Sequence, residues 1–150
     1  MLFAGREINQ YIEQKEYIDT AVVPLIELDL GAGGIRQSSA AAEYMISLTS
    51  LLERQFKGRL LLLPPVSYPK NSDRAEIGSA IRKELESSGI KHVFYMTSDV
   101  KWRSEEDLDR LLWLPAVPVE HMDPKFRQSV MEDQLRQVLP LVLEAWNASS

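Results

Sequence analysis

Residues 59–63 form a short, almost uniformly apolar run, in which Arg59 is followed by four leucines and then by two prolines. Helical patterns flank the run on both sides. Because such a run cannot alternate a wet face with a dry face, it predicts a strand that is buried on both sides. Strands of this kind belong to parallel sheets between two helical layers, so the run indicates an α/β fold.

The rest of the chain repeats a strand–helix pattern. Strands are predicted at residues 20–28, 59–63, 90–96 and, more weakly, 113–119, and helices at residues 6–17, from 38 or 39 to 57, 73–88, 104–112 and from 123 onward. This alternation implies parallel pairing with right-handed crossovers. We therefore predict one domain over residues 1–150: a three-layer α/β/α sandwich with a mainly parallel, four-stranded, doubly wound sheet of Rossmann or flavodoxin type and an extra N-terminal helix.

Local signals refine several of these elements. Asp73 and Glu76 form a capping-box pattern at the start of one helix, and Gly89 is placed to end it. Pro24 lacks a backbone donor, so the first strand should lie at an edge, carry a bulge or begin after the proline. Pro140 should kink or break the last helix, because a proline inside a helix costs about 3 kcal/mol.

Composition excludes several classes of function. The net charge of −5 disfavours a nucleic-acid surface, which needs a basic face. No apolar run approaches the roughly 20 residues that span a bilayer, so no membrane insertion is expected. The chain has no cysteine, which removes disulfides and cysteine-ligated zinc and favours a cytoplasmic location.

Three segments together carry a resemblance to a known family. These are residues 16–25, residues 53–64 and the proline-rich loop at residues 64–71. On these segments the chain resembles the YpiF-like family, small cytoplasmic proteins of Bacillus-type bacteria with no assigned function. The resemblance implies a bacterial lineage and supplies no catalytic residue or cofactor.

A glycine-rich loop at residues 29–37 is the sharpest candidate for a binding site. In a doubly wound sheet, ligands bind at the carboxyl ends of the strands, and this loop follows the first strand. Gly33 and Gly34 allow close backbone approach, while Arg36 and Ser38 could complete a site for a small anion at the following helix. The loop matches neither a complete dinucleotide fingerprint nor a P-loop, and a connection without a ligand is the competing interpretation.

Other candidate ligand-binding residues also follow predicted strands. They are Asp29, Ser67, Tyr68, Thr97, Asp99 and His121. Acids after the first and third strands partly match a phospho-acceptor domain, but the lysine expected after the last strand is missing. The alternative is that Asp29 and Asp99 serve turns. No metal site, cofactor or nucleophile motif is predicted.

The last helix offers a surface for association. Its final turns carry more apolar side chains than one buried stripe needs, and we singled out Leu141, Val142 and Trp146 as residues of a homodimer or partner interface. Packing on the sheet within the same chain is the alternative.

Two functions therefore remain open. The first is a non-enzymatic cytoplasmic binding or accessory domain, and the second is a small-molecule or nucleotide binder or enzyme with its site at the strand ends. The first rests on the absence of any complete catalytic signature, and it predicts that the candidate site residues are dispensable.

Overall fold

The structure, a computed structural model, describes residues 1–148. Its helices and strands alternate as the sequence predicts. The helices are α1 (Gly5–Glu13), α2 (Ile35–Gln55), α3 (Arg74–Ser88) and α4 (Pro124–Ala148), and the strands are β1 (Thr20–Leu28), β2 (Leu60–Leu62), β3 (Val66–Pro69), β4 (His92–Thr97) and β5 (Leu111–Trp113).

All strand pairs in the sheet are parallel, in the order β2-β1-β4-β5, with β3 also paired to β1. The chain passes from β1 to β2 and β3 on one side, and then crosses β1 to reach β4 on the other. This reversal of direction is the topological switch point of a doubly wound sheet. The predicted α/β class is confirmed.

Pro24 lies in the middle of the central strand β1, so the expectation of an edge, a bulge or a later start is wrong. The O atom of Val22 accepts a hydrogen bond from the N–H of Leu63, which lies just beyond β2. Since alternate residues of a strand point to the same side, the nitrogen of Pro24 faces that side too. There the pairing of β1 is interrupted between β2 and β3, across Leu63, Pro64 and Pro65, so the proline lies where β1 has no ladder partner on that side.

Two helical layers cover the sheet. On one face, side chains of α2 and α4 pack with β1, β2 and β4 in a cluster that includes Tyr44, Leu48, Phe94, Val138 and Val142. On the other face, α3 packs with Tyr68, Tyr95, Trp102 and neighbours. Helix α1 lies at the β2 end, where Ile8 and Tyr11 contact a small cluster of Met1, Ile18 and Leu61. Within residues 1–148, no helix is long and apolar enough to cross a membrane.

The ends of α3 confirm the predicted caps. The side chain of Asp73 accepts a hydrogen bond from the N–H of Glu76. Gly89 has a φ of 77°, the left-handed conformation that glycine adopts without a steric penalty.

Several local expectations are wrong in whole or in part. Helix α2 begins at Ile35 rather than at Ser38 or Ser39, and the loop after β2 contains the unpredicted strand β3. A 3-10 helix at Val100–Ser104 replaces the expected helix at residues 104–112, and the strand after it, β5, is short and begins before the predicted one. Helix α4 continues across Pro140, so of the two expected outcomes, a kink or a break, the break does not occur.

Candidate functional site

A cleft of about 550 Å³ lies at the carboxyl ends of β1 and β4, next to the switch point. Helix α2 supplies one side of the cleft and the segment after β5 supplies another. The lining includes Ala41, Ala42 and Met45 from α2, Trp113, Pro115 and Ala116 from the β5 side, Leu25, Ile26, Glu27 and Asp29 from the end of β1, and Ser98, Asp99 and Lys101 from the segment after β4. This is the place where ligands bind in open α/β sheets.

Arg74, the first residue of α3, lies buried beside the cleft. All five N–H donors of its guanidinium are used: Nε and Nη2 donate to Asp99, Nη2 also donates to Glu27, and Nη1 donates to the carbonyl oxygens of Lys70 and Ser72. Burial by itself would lower the pKa of Arg74, but Asp99, Tyr68 and Glu27 raise it overall. The cation therefore ties the ends of β1, β3 and β4 to α3.

Tyr68 and Trp102 complete this network on the α3 side of the sheet. The hydroxyl of Tyr68 donates to Asp99 at 2.6 Å and accepts from Nε1 of Trp102 at 2.6 Å. Burial, together with the hydrogen bond to Asp99, raises the pKa of Tyr68 well above its ordinary value, so the hydroxyl stays protonated. Since the other oxygen of Asp99 accepts from the N–H of Lys101, both carboxylate oxygens of Asp99 are occupied.

Asp29 lies against the first turn of α2. A Cβ atom built on Gly34, the residue that precedes this helix, would lie 1.9 Å from Oδ2 of Asp29, so the carboxylate needs a glycine here. The N–H of Gly31, and then the charge of Lys70 at 3.4 Å, hold the pKa of Asp29 below its ordinary value. An internal carboxylate thus lies beside the N-terminus of α2, where it would repel an external anion.

Ser38 joins α2 to the end of β1. Its hydroxyl donates to the carbonyl oxygen of Glu27 and accepts from the N–H of Asp29, at 2.9 Å and 3.0 Å. Thr97 has a similar role on β4, because its hydroxyl donates to the carbonyl oxygen of Leu25 and accepts from the N–H of Asp99. Both hydroxyls hold the floor of the cleft in place.

Ser98 differs from these two residues. It lines the cleft, and its Oγ atom is buried with no hydrogen-bond partner among residues 1–148. A buried hydroxyl without a partner costs about 1–3 kcal/mol, so this atom is suited to a ligand.

The structure brings together only part of the predicted site. Asp29, Gly34, Ser38 and Asp99 line the cleft, and Tyr68 and Thr97 lie in the network beside it. The remaining candidates, Gly33, Arg36, Ser67 and His121, are exposed and do not line the cleft.

The interface expectation for α4 is wrong for two of its three residues. Val142 is fully buried, and Trp146 packs edge-on against Phe56 and donates from Nε1 to the hydroxyl of Thr20. These side chains belong to the core of their own chain. Leu141 remains exposed.

Sequence reasoning missed four residues: Arg74, Lys70, Lys101 and Trp113. Each follows a strand or opens a helix at the same edge of the sheet, which is a position shared by many surface residues. A basic residue directly after the Asp73 cap is the one local signal that could have pointed to Arg74, since helices favour acids in their first turn.

The carboxylates do not form a metal centre in the part of the chain that is described. No group of three histidine or acidic side chains within residues 1–148 is arranged to hold an ion. Instead, Arg74 lies between Glu27 and Asp99, with ion pairs of 2.6 Å and 2.8 Å.

Comparison with known proteins places the chain in a family without an assigned activity. The family described as "Protein of unknown function (DUF2487)" matches residues 9–146. The chain is also 33% identical, over 94% of its own length and 95% of the relative's, to a protein of Bacillus subtilis (strain 168) described as "Uncharacterized protein YpiF". No solved structure gives a significant match. The chain therefore belongs to the DUF2487 family, which is described as a family of unknown function.

Proposed function

We propose that the protein is a cytoplasmic binding protein for a small molecule, and that the ligand occupies the cleft at the ends of β1 and β4. The observation that carries this proposal is the cleft itself, about 550 Å³ in volume and placed beside the switch point of the sheet. Its volume lies within the range of ligand pockets, which is roughly 300–1,000 Å³. Because Ala41 and Ala42 are small, α2 leaves this space open.

The chemistry of the lining favours binding over catalysis. Oδ2 of Asp99 accepts from Tyr68 and twice from Arg74, and Oδ1 accepts from the N–H of Lys101, so this carboxylate is held mainly by groups of the chain itself. The hydroxyls of Ser38 and Thr97 each donate and accept within the chain as well. These residues act as supports for the cleft, which agrees with a binding role.

The geometry gives less support to the small anion expected from the glycine-rich loop. Arg36 does not line the cleft, and Asp29 already lies at the first turn of α2. Among the charged residues of the lining, Glu27, Asp29 and Asp99 outnumber Lys70 and Lys101. Since Arg74 and Lys70 pair with these carboxylates, the charges nearly balance and the cleft offers no strong attraction for a phosphate, so a neutral ligand fits better.

A partner-binding role through α4 has weaker support. Leu141 and Leu143 are 41% and 45% exposed, but the larger apolar side chains near them, Val142 and Trp146, are buried in the core. Single exposed leucines are common on protein surfaces and do not define an interface.

Native mass spectrometry with a cleft-filling variant tests the proposal. The freshly purified protein is incubated with the low-molecular-mass fraction of a bacterial extract, together with the variant Ala42→Trp and the control Ile46→Trp. Ile46 lies on the same helix but is exposed and does not line the cleft. We expect a bound mass on the wild type and the control but not on Ala42→Trp. A bound mass on Ala42→Trp, or none on the wild type, would contradict the proposal.

A further inference from the structure

The shape of the cleft narrows the class of ligand, and the following inference rests on the proposed function. Its sides come from small or flat side chains, those of Ala41 and Ala42 on α2 and those of Trp113, Pro115 and Ala116 on the β5 side. Its floor includes the apolar residues Ile26 at the end of β1 and Met45 on α2. A slot with small apolar sides and an apolar floor accepts a flat ring more readily than a branched or highly hydrated molecule.

The polar groups at the edge of this slot are mainly acceptors. Oε2 of Glu27 is held by Arg74, which leaves Oε1 without a partner among residues 1–148. Oδ1 of Asp29 accepts from Gly31 and Lys70, which leaves Oδ2 of Asp29 without a hydrogen-bond partner among the described residues. Asp29 therefore pairs with Lys70, Glu27 shares Arg74 with Asp99, and Glu27 and Asp29 each retain one oxygen for a donor.

Ser98 adds a hydroxyl group, which can act as a hydrogen-bond donor or as an acceptor. Its buried Oγ atom has no partner in the described part of the chain, and rotation of the hydroxyl about the Cβ–Oγ bond would let it donate to or accept from a ligand. Because Arg74 and Lys70 already balance two of the carboxylates, a full positive charge on the ligand is unnecessary, and uncharged N–H donors are sufficient.

We infer that the cleft binds a flat heterocyclic ring that carries an exocyclic amino group on one edge, of the kind found in amino-substituted nucleobases. The ring lies between α2 and the segment after β5, and its donor edge faces Glu27, Asp29 and Ser98. A ring that presents carbonyl oxygens to the same edge is disfavoured, because those oxygens would face carboxylates.

Calorimetric titration with defined probes tests this inference. The probes are guanosine, adenosine and cytidine, which carry an exocyclic amino group, then uridine, which carries carbonyl oxygens in its place, and ribose 5-phosphate, which is an anion without a ring. We expect at least one amino-bearing nucleoside to bind at least about tenfold more tightly than uridine, as the loss of a hydrogen bond to a charged group predicts. Ribose 5-phosphate should bind more weakly than that nucleoside.

Two substitutions address the acceptors directly. Asp29→Asn and Glu27→Gln each replace a carboxylate by a neutral amide of the same shape, and both should weaken binding of the amino-bearing nucleoside by about tenfold. Glu13→Gln, at an exposed carboxylate on α1, is the matched control and should bind like the wild type. Since Glu27 pairs with Arg74, Asp29→Asn keeps the test valid if Glu27→Gln fails to fold.

The outcomes separate this inference from the proposed function. Equal or tighter binding of uridine or of ribose 5-phosphate overturns the inference, as does unchanged binding in both amide variants. If no nucleoside binds but the extract yields a bound mass that Ala42→Trp abolishes, the ligand class is wrong and the proposed function stands. If neither probe nor extract yields binding, both are wrong.

Discussion

Arg74 and Asp99 are joined by two hydrogen bonds, in which Nε and Nη2 of the guanidinium donate to the same carboxylate oxygen at 3.0 Å and 2.8 Å. The two side chains are only 6% and 5% exposed, so their charges depend on each other rather than on water. The pair connects the start of α3 to the loop after β4, close to the switch point of the sheet. The ends of the strands are thus held by a buried ion pair rather than by apolar packing alone.

Removal of Arg74 should therefore be costly. We expect Arg74→Met to lower the free energy of unfolding by about 3–5 kcal/mol, because Asp99 would remain buried without its cation. Urea denaturation followed by circular dichroism measures the change. Arg82→Met is the control: Arg82 pairs with Glu86 at 3.7 Å and donates to the carbonyl oxygen of Asp107 at 3.2 Å, and the loss of these exposed contacts should cost no more than about 1 kcal/mol. Equal effects of the two substitutions would contradict the role given to Arg74.

The end of α4 should behave as core rather than as an interface. Trp146→Ala should destabilise the fold by about 3–5 kcal/mol, because it removes a buried ring and leaves the hydroxyl of Thr20 without its donor. Leu141→Asp, at an exposed position, should change stability by less than about 0.5 kcal/mol and leave the elution volume in size-exclusion chromatography unchanged. A shift of Leu141→Asp to a smaller assembly would restore the interface hypothesis.

The contact between Asp29 and Gly34 can be tested with alanine. Gly34→Ala should displace the Asp29 carboxylate, since a Cβ there would lie 1.9 Å from Oδ2, and the variant should be less stable than the wild type. Gly33→Ala, one residue earlier, meets no atom within 4 Å and should be neutral. Thermal denaturation of both variants gives the comparison. If the double variant with Gly34→Ala and Asp29→Ala is as unstable as Gly34→Ala alone, the contact with Asp29 is not the cause of the lost stability.

His92 should make stability depend on pH. Burial, partly opposed by the charge of Asp19, lowers the pKa of His92 from its ordinary value of 6.5. Below 6.5 the unfolded chain therefore binds a proton that the folded chain does not, so stability decreases as the pH falls through 6.5 and levels off for this group below its folded pKa.

Two histidine variants isolate this effect. As the pH is lowered from about 7.5 to about 5.5, we expect the urea midpoint of His92→Gln to fall less than the urea midpoint of the wild type. The only other histidine, His121, is exposed and does not contact the core, so His121→Gln should retain the pH dependence of the wild type. A drop of equal size in all three proteins would show that His92 is not responsible.

Periodicity and local chemistry were sufficient to predict the fold class, because the leucine run and the caps at Asp73 and Gly89 depend on neighbouring residues alone. Pro24 shows where this reasoning fails. A proline in a central strand is tolerated only because the paired chain breaks at Pro64 and Pro65, which lie about 40 residues further along the sequence. No local pattern reports such a pairing.

The site was predicted in part for the same reason. Asp29, Ser38 and Asp99 were found because they follow strands that end at one edge of a parallel sheet. Arg74 was missed because its role depends on partners from β1 and β4, at distances along the chain of 47 and 25 residues. Val142 and Trp146 were misassigned because an apolar helix end has the same pattern whether it faces its own sheet or a second chain.

Amide chemical-shift mapping tests the central claim most directly. A ¹⁵N-labelled sample is compared before and after addition of the low-molecular-mass fraction of a bacterial extract. The account predicts shifts concentrated at Gly34, Gln37, Ser98 and Lys101 around the cleft, and no shifts in the Ala42→Trp variant. Shifts confined to the exposed side of α4 near Leu141 and Leu143, or no shifts at all, would contradict it.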